Sequence, residues 1–190
     1  MRGETRWRCV HRFNDSLTIS RAYSEAPWWG TVYRQAFRGF AGMYDVRQDG
    51  WAQRAGIDRV IVLRSGKTLW VDEKVRTEDY NDFLLERWSD RERRRPGWIQ
   101  KELACDYIAY AFVPSARCFL LPFLPLQRAW RLHGPDWIRR AGRAERGYRL
   151  VQAENPGYVT ESIAVPIPVV LAALQQGLEV RWDTAGHSTA

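Results

Sequence analysis

The stretch from residue 53 to residue 86, QRAGIDRVIVLRSGKTLWVDEKVRTEDYNDFLLE, restricts the fold of this chain more than any other. Ile57, Val60, Ile61, Val62 and Leu63 make an apolar, largely β-branched run of strand length. Ser65, Gly66 and Lys67 supply turn chemistry, and Thr68 to Arg76 alternates like a second strand. Leu69, Val71 and Val75 take one face of it, and Trp70, Asp72, Lys74 and Arg76 the other. Asp72 and Lys74 therefore point the same way. The side on which Asp58 falls depends on the loop. A three-residue loop of Ser65, Gly66 and Lys67 pairs Arg64 with Thr68, sets Asp58 opposite Lys74 and makes Asp72 a diagonal neighbour. A two-residue turn puts Asp58 on the opposite face unless a bulge corrects it.

Two carboxylates beside one lysine on a strand pair suit metal-assisted phosphodiester hydrolysis. Such carboxylates hold Mg²⁺ or Mn²⁺ through oxygen, and water completes the shell. The ion polarises the phosphate, promotes attack by water and stabilises the leaving oxygen. A lysine there orients or deprotonates the water, or offsets charge developing at phosphorus. The plainer reading makes V-D-E-K-V-R the solvated end of an exposed strand, since the chain is 27% charged. Composition speaks against it: only three of the 29 basic residues are lysines, so Lys74 is not the default cation.

At these residues the sequence resembles the PD-(D/E)XK, or restriction-endonuclease-like, nuclease superfamily. That pattern has an acid at the end of one strand, then a second acid, any residue and a lysine on the next. Asp58 matches the first acid, Asp72 the second, Glu73 the variable place and Lys74 the lysine. Gln53, ahead of Gly56, Ile57 and Asp58, is similar to the glutamine before Gly-Ile-Asp in some nuclease-like proteins of phages and mobile elements. Ile57 stands where a proline often precedes the first acid, and Asp72 where glutamate is commoner.

The resemblance implies an α/β fold, a central mixed β-sheet flanked by helices, with the first hairpin at its catalytic edge. It implies a Mg²⁺- or Mn²⁺-dependent nuclease, with DNA ahead of RNA as substrate. Asp58 and Asp72 would hold the metal, Lys74 would act on the water and Gln53 would assist. In many relatives an acid on a helix before the first catalytic strand joins the metal site. Glu25 is the candidate, against a plain exposed glutamate. Glu86, on a third strand from Asp82 to Ser89, is either a further metal ligand or a rim residue.

A formal charge of +7 favours an anionic partner, nucleic acid first. Two arginine groups are candidate phosphate-binding surfaces. One is the loop Asp90 to Gly97, with Arg91, Arg93, Arg94 and Arg95. The other is Trp137 to Arg146, where Arg139, Arg140, Arg143 and Arg146 are spaced for several to share one helical face. A rival from another class keeps the scaffold without the chemistry, as a non-catalytic nucleic-acid-binding or structural accessory protein. A tryptophan-rich protein-interaction module is a third.

Length favours one domain over residues 1–190, with a core at about 15–125 and a C-terminal extension at about 126–190. Cys9, Cys105 and Cys118 include no C-x-x-C pair, so neither a zinc site nor a disulfide framework is expected. The longest apolar run, Ile163 to Leu174, is broken by Pro166 and Pro168 and too short to span a bilayer. No membrane partner is expected, and the expected location is cytoplasmic.

The remaining elements follow from local signals. Residues 1–13 read as a basic arm or short strand, and Asn14, Asp15 or Ser16 as the cap of a helix to about Ser24. Pro27 opens a helix to about Phe40, with Trp28, Trp29, Tyr33, Phe37 and Phe40 read as core or packing residues ahead of a base-stacking platform. Gly39 to Gly50 reads as a loop, and Asp106–Val113 with Arg117–Leu121 as a second hairpin. Pro122–Leu132 reads as a helix or turns, stopped by His133, Gly134 and Pro135. Val159–Val165 reads as a final strand and Pro168–Leu178 as a closing helix.

Overall fold

A computed structural model describes residues 23–175 and 177–183, which form a mixed α/β structure. The expected arm at 1–13 and most of the helix from residues 14–16 to Ser24 lie outside the described residues. Four helices are described, α1 (Trp28–Ala36), α2 (Gly50–Ala55), α3 (Phe123–Gly142) and α4 (Ile167–Leu174). The strands are β1 (Phe40–Asp45), β2 (Arg59–Leu63), β3 (Thr68–Arg76), β4 (Asp82–Asp90), β5 (Arg95–Pro96), β6 (Tyr107–Phe112), β7 (Arg117–Pro122), β8 (Arg149–Asn155), β9 (Tyr158–Pro166) and β10 (Leu178–Arg181). They divide between two compact units that interleave along the chain.

Within the described residues, one unit gathers 23–80, 102–128, 174–175 and 177–183. Its sheet has the order β1-β2-β3-β6-β7-β10. Only β3 and β6 run parallel, with Asp72 beside Ile108 and Lys74 beside Tyr110. β6 is buried nearly throughout because it has a strand on each side and Ile108, Ala109, Tyr110, Ala111 and Phe112 cover both of its faces. α1 buries Trp28, Trp29, Val32 and Tyr33 against Ile61, Leu69, Val71, Ala109 and Leu120. Trp28 stacks on Trp182 with ring centroids 4.2 Å apart, which ties the end of β10 to α1.

The second unit, within the described residues, gathers Asn81–Lys101 and Ala129–Ala173. Its sheet is antiparallel throughout, in the order β5-β4-β9-β8. The third expected strand, β4, thus belongs to this sheet and not to that of the first hairpin. β8 and β9 form a hairpin whose closing pair, Asn155 and Tyr158, flanks Pro156 and Gly157.

Several local expectations give way to tertiary context. The segment read as the loop Gly39–Gly50 contains β1, which pairs with β2 through its backbone although Gly42 and Asp45 are poor strand formers. The first hairpin is therefore second and third in its sheet, not at the edge. α3 runs through Pro135 instead of stopping at His133. Buried Trp130, Trp137 and Ala141 outweigh one missing backbone hydrogen bond. The helix ends at Gly142, so only Arg139 and Arg140 of the four spaced arginines lie on it. The closing helix stops at Leu174, and Leu178, expected in it, begins β10 by pairing with Leu120.

Candidate functional site

The loop of the β2–β3 hairpin does contain three residues, but they are Arg64, Ser65 and Gly66. Leu63 N–H donates to the Lys67 carbonyl at 2.9 Å, and Gly66, at φ +83°, takes the left-handed position. Val62 pairs with Thr68 and Arg59 with Val71, so extending the register sets Asp58 opposite Asp72 rather than Lys74. The shift is by two residues, so the face is unchanged.

Asp58 is placed by backbone on both sides. α2 ends on Gly56, whose left-handed φ of +67° turns the chain, and the Ile57 side chain is buried beyond it. Asp58 N–H then donates to the Val71 carbonyl at 2.9 Å, while its own carbonyl accepts from Val46 at 3.1 Å. Its Oδ2 accepts the Glu73 N–H at 2.8 Å.

The Asp58 and Asp72 carboxyls lie within hydrogen-bonding reach of each other. The Lys74 Nζ donates to Asp72 Oδ1 at 2.6 Å. Burial pushes the Asp72 carboxyl up to about 7; Lys74 opposes that rise and Asp58 adds to it. Cys105 is close enough to feel both Asp72 and Lys74, and burial first, then Asp72, pushes its thiol up to about 12. It is an inert, protonated neighbour at neutral pH.

Behind this group, on the other face of β3, lies a buried ionic network that sequence reasoning missed. The Glu73 Oε1 accepts from the Tyr33 hydroxyl at 2.6 Å and from Arg59 Nε at 3.0 Å. Arg59 also donates to the Ser24 carbonyl at 2.6 Å. Arg47 reaches both sides: it pairs with Glu73, and its Nε lies 3.5 Å from Asp58 Oδ1. A signal existed in the alternation. Glu73 falls in the apolar stripe of Leu69, Val71 and Val75, and Arg59 in that of Ile57, Ile61 and Leu63. Charges on buried faces of adjacent strands must find each other.

The other expected site residues fall on separate elements. Gln53 is exposed on α2. Glu25 is exposed in the turn before α1, next to Ser24, whose carbonyl is tied to Arg59. Glu86 is on β4 in the second unit, where its carboxylate accepts the Trp98 N–H at 3.2 Å. Among the described residues no three His, Cys, Asp or Glu side chains are grouped to hold a metal ion.

Four of the eight expected phosphate-binding arginines have acidic partners. Arg91 pairs with Glu161 at 3.0 Å, Arg93 with Asp90 at 2.8 Å and Arg140 with Glu145 at 2.7 Å, and Arg139 pairs with Asp136. Arg94, Arg95 and Arg143 are exposed. No helix among the described residues is long and apolar enough to cross a membrane. Comparison with protein-family models, with curated proteins and with solved structures returned no match for this chain.

Proposed function

We propose that this protein hydrolyses phosphodiester bonds of nucleic acid, DNA ahead of RNA, in a reaction that requires Mg²⁺ or Mn²⁺. The observation that carries the reading is the meeting of Asp58, Asp72 and Lys74 on one face of the β2–β3 pair. The donor set fits a hard divalent cation, since two carboxylates with water are an ordinary Mg²⁺ complement at phosphate sites. Asp58 and Asp72 would hold the ion, which supplies Lewis-acid polarisation of the phosphate. Lys74, half-buried, offsets charge on the reacting phosphate and orients the incoming water. Gln53 adds an exposed amide on the adjoining helix, and the charge of +7 favours the polyanionic backbone. A restriction-endonuclease-like assignment of the sheet belongs to the same proposal, supported by its mixed character and by the hairpin carrying the acids.

One observation favours a second reading, nucleic-acid binding without cleavage: the charge of +7, which attracts a polyanion whether or not it is cut. The deciding experiment is cleavage of supercoiled, linear and single-stranded DNA, and of RNA, with Mg²⁺ or Mn²⁺. Wild type is compared with Asp58→Asn and Lys74→Ala. Metal-dependent cutting that falls at least about 100-fold in both variants supports hydrolysis at this site. An inert wild type, or variants that cut equally well, would leave only the binding reading.

A further inference from the structure

The face of the sheet that bears Asp58, Asp72 and Lys74 also carries aromatic rings open to solvent. Trp70 precedes Asp72 by two residues, so it points the same way, about 6.6 Å along the strand. It is 36% exposed. Trp51, on α2, is 51% exposed and meets Trp70 edge-on with ring centroids 6.2 Å apart. Tyr44 pairs with Val60, and Val60 with Trp70, so Tyr44 stands in the same row of this face and is 64% exposed. Elsewhere in this unit large aromatics such as Trp28, Trp29 and Tyr33 are buried. An indole pair held open beside Lys74 and two carboxylates that would hold a divalent cation suits an occupant with a flat face joined to a phosphate.

We propose that Trp51 and Trp70 form a stacking platform for an unpaired base of a single-stranded nucleic acid, next to the phosphate held at Asp58, Asp72 and Lys74. The proposal rests on the hydrolase reading for the position of that phosphate. Charge complementarity favours this occupant: the chain carries +7, and Arg54 on α2 and Arg64 and Lys67 at the hairpin turn are exposed near the same strands. Stacking is indifferent to base identity because every base has a π-face, so the platform selects single strands over duplex and not one sequence over another.

The test is fluorescence anisotropy in EDTA with three labelled probes of equal length: an oligodeoxythymidylate, an abasic oligomer and a duplex. Wild type should bind the thymidylate more tightly than the abasic strand. Trp51→Ala and Trp70→Ala should each weaken thymidylate binding about 5- to 100-fold, with abasic binding unchanged and Trp70→Phe retaining most of the affinity. Circular dichroism checks that the variants fold. Equal affinity of wild type for thymidylate and abasic strands, or unchanged thymidylate binding in both alanine variants, overturns the platform. So does a wild-type dimer in sedimentation that these substitutions disperse, since a second copy would then cover the rings. The two readings fail separately. Thymidylate binding lost in the tryptophan variants, with no cleavage by wild type, keeps the platform and ends hydrolysis. Cleavage abolished by Asp72→Asn, with thymidylate binding untouched in the tryptophan variants, does the reverse.

Discussion

Asp72 is a buried carboxylate with one lysine and one carboxylate for neighbours, and that environment has a measurable consequence. Its folded pKa of about 7 lies above its ordinary value of 3.8. The folded state therefore holds this proton more tightly than the unfolded chain does. Stability contributed by the group is full below about pH 4 and is lost as pH rises through about 7. Urea midpoints of wild type should fall between pH 4 and pH 7 relative to those of Asp72→Asn, and the two curves should then run parallel. Glu73 is buried against the Tyr33 hydroxyl and the Arg59 guanidinium. Glu73→Ala strands Arg59 in the core and should cost about 3–5 kcal/mol in urea unfolding, while Glu73→Gln, which keeps hydrogen bonds to Tyr33 and Arg59, should cost less. Asp72 and Lys74 were legible from strand alternation alone. The same alternation marked Glu73 as facing inward, yet it could not name Arg47 or Tyr33, which come from residues 26 and 40 positions away.

At the scale of elements, the hairpin loop decides whether the acids meet. Ser65 and Gly66 announced a turn but left its parity open between two and three residues; the three-residue loop keeps Asp58 on the face of Asp72. The register itself was two residues from the expected one, since the loop is Arg64, Ser65 and Gly66 and not Ser65, Gly66 and Lys67. Inserting one residue between Ser65 and Gly66 should turn one strand's side chains to the wrong face. The expected outcome is loss of any Mg²⁺-induced rise in melting temperature, checked by thermal denaturation with and without the ion. Gly66→Val should cost about 1 kcal/mol or more, and Gly66→Asn less, because asparagine tolerates a positive φ. α2 escaped the sequence reading for a different reason. Six residues are too few to form a helix on local propensity. It exists because Ala52 is fully buried and Gly56 closes its end.

At the scale of the whole molecule, the charge of +7 is distributed unevenly between arginines already matched to acids and arginines that are not. Oligonucleotide affinity should fall with salt, and replacing Arg94 or Arg95 by alanine should reduce the slope of log K against log salt by about 1 each. Replacing Arg93 or Arg140, tied to Asp90 and Glu145, should change that slope less. A titration of anisotropy against KCl separates the two sets. The sequence by itself determined the hairpin and the shared face of Asp72 and Lys74, because periodicity of two and turn chemistry act over a few residues. Tertiary structure alone decided that β4 leaves the hairpin's sheet for another, that β6 returns to lie parallel beside β3, and that Glu73 is sealed between Arg59 and Tyr33. Those outcomes depend on which distant strands share backbone hydrogen bonds and which buried charges find partners, and neither is written in the local order of residues.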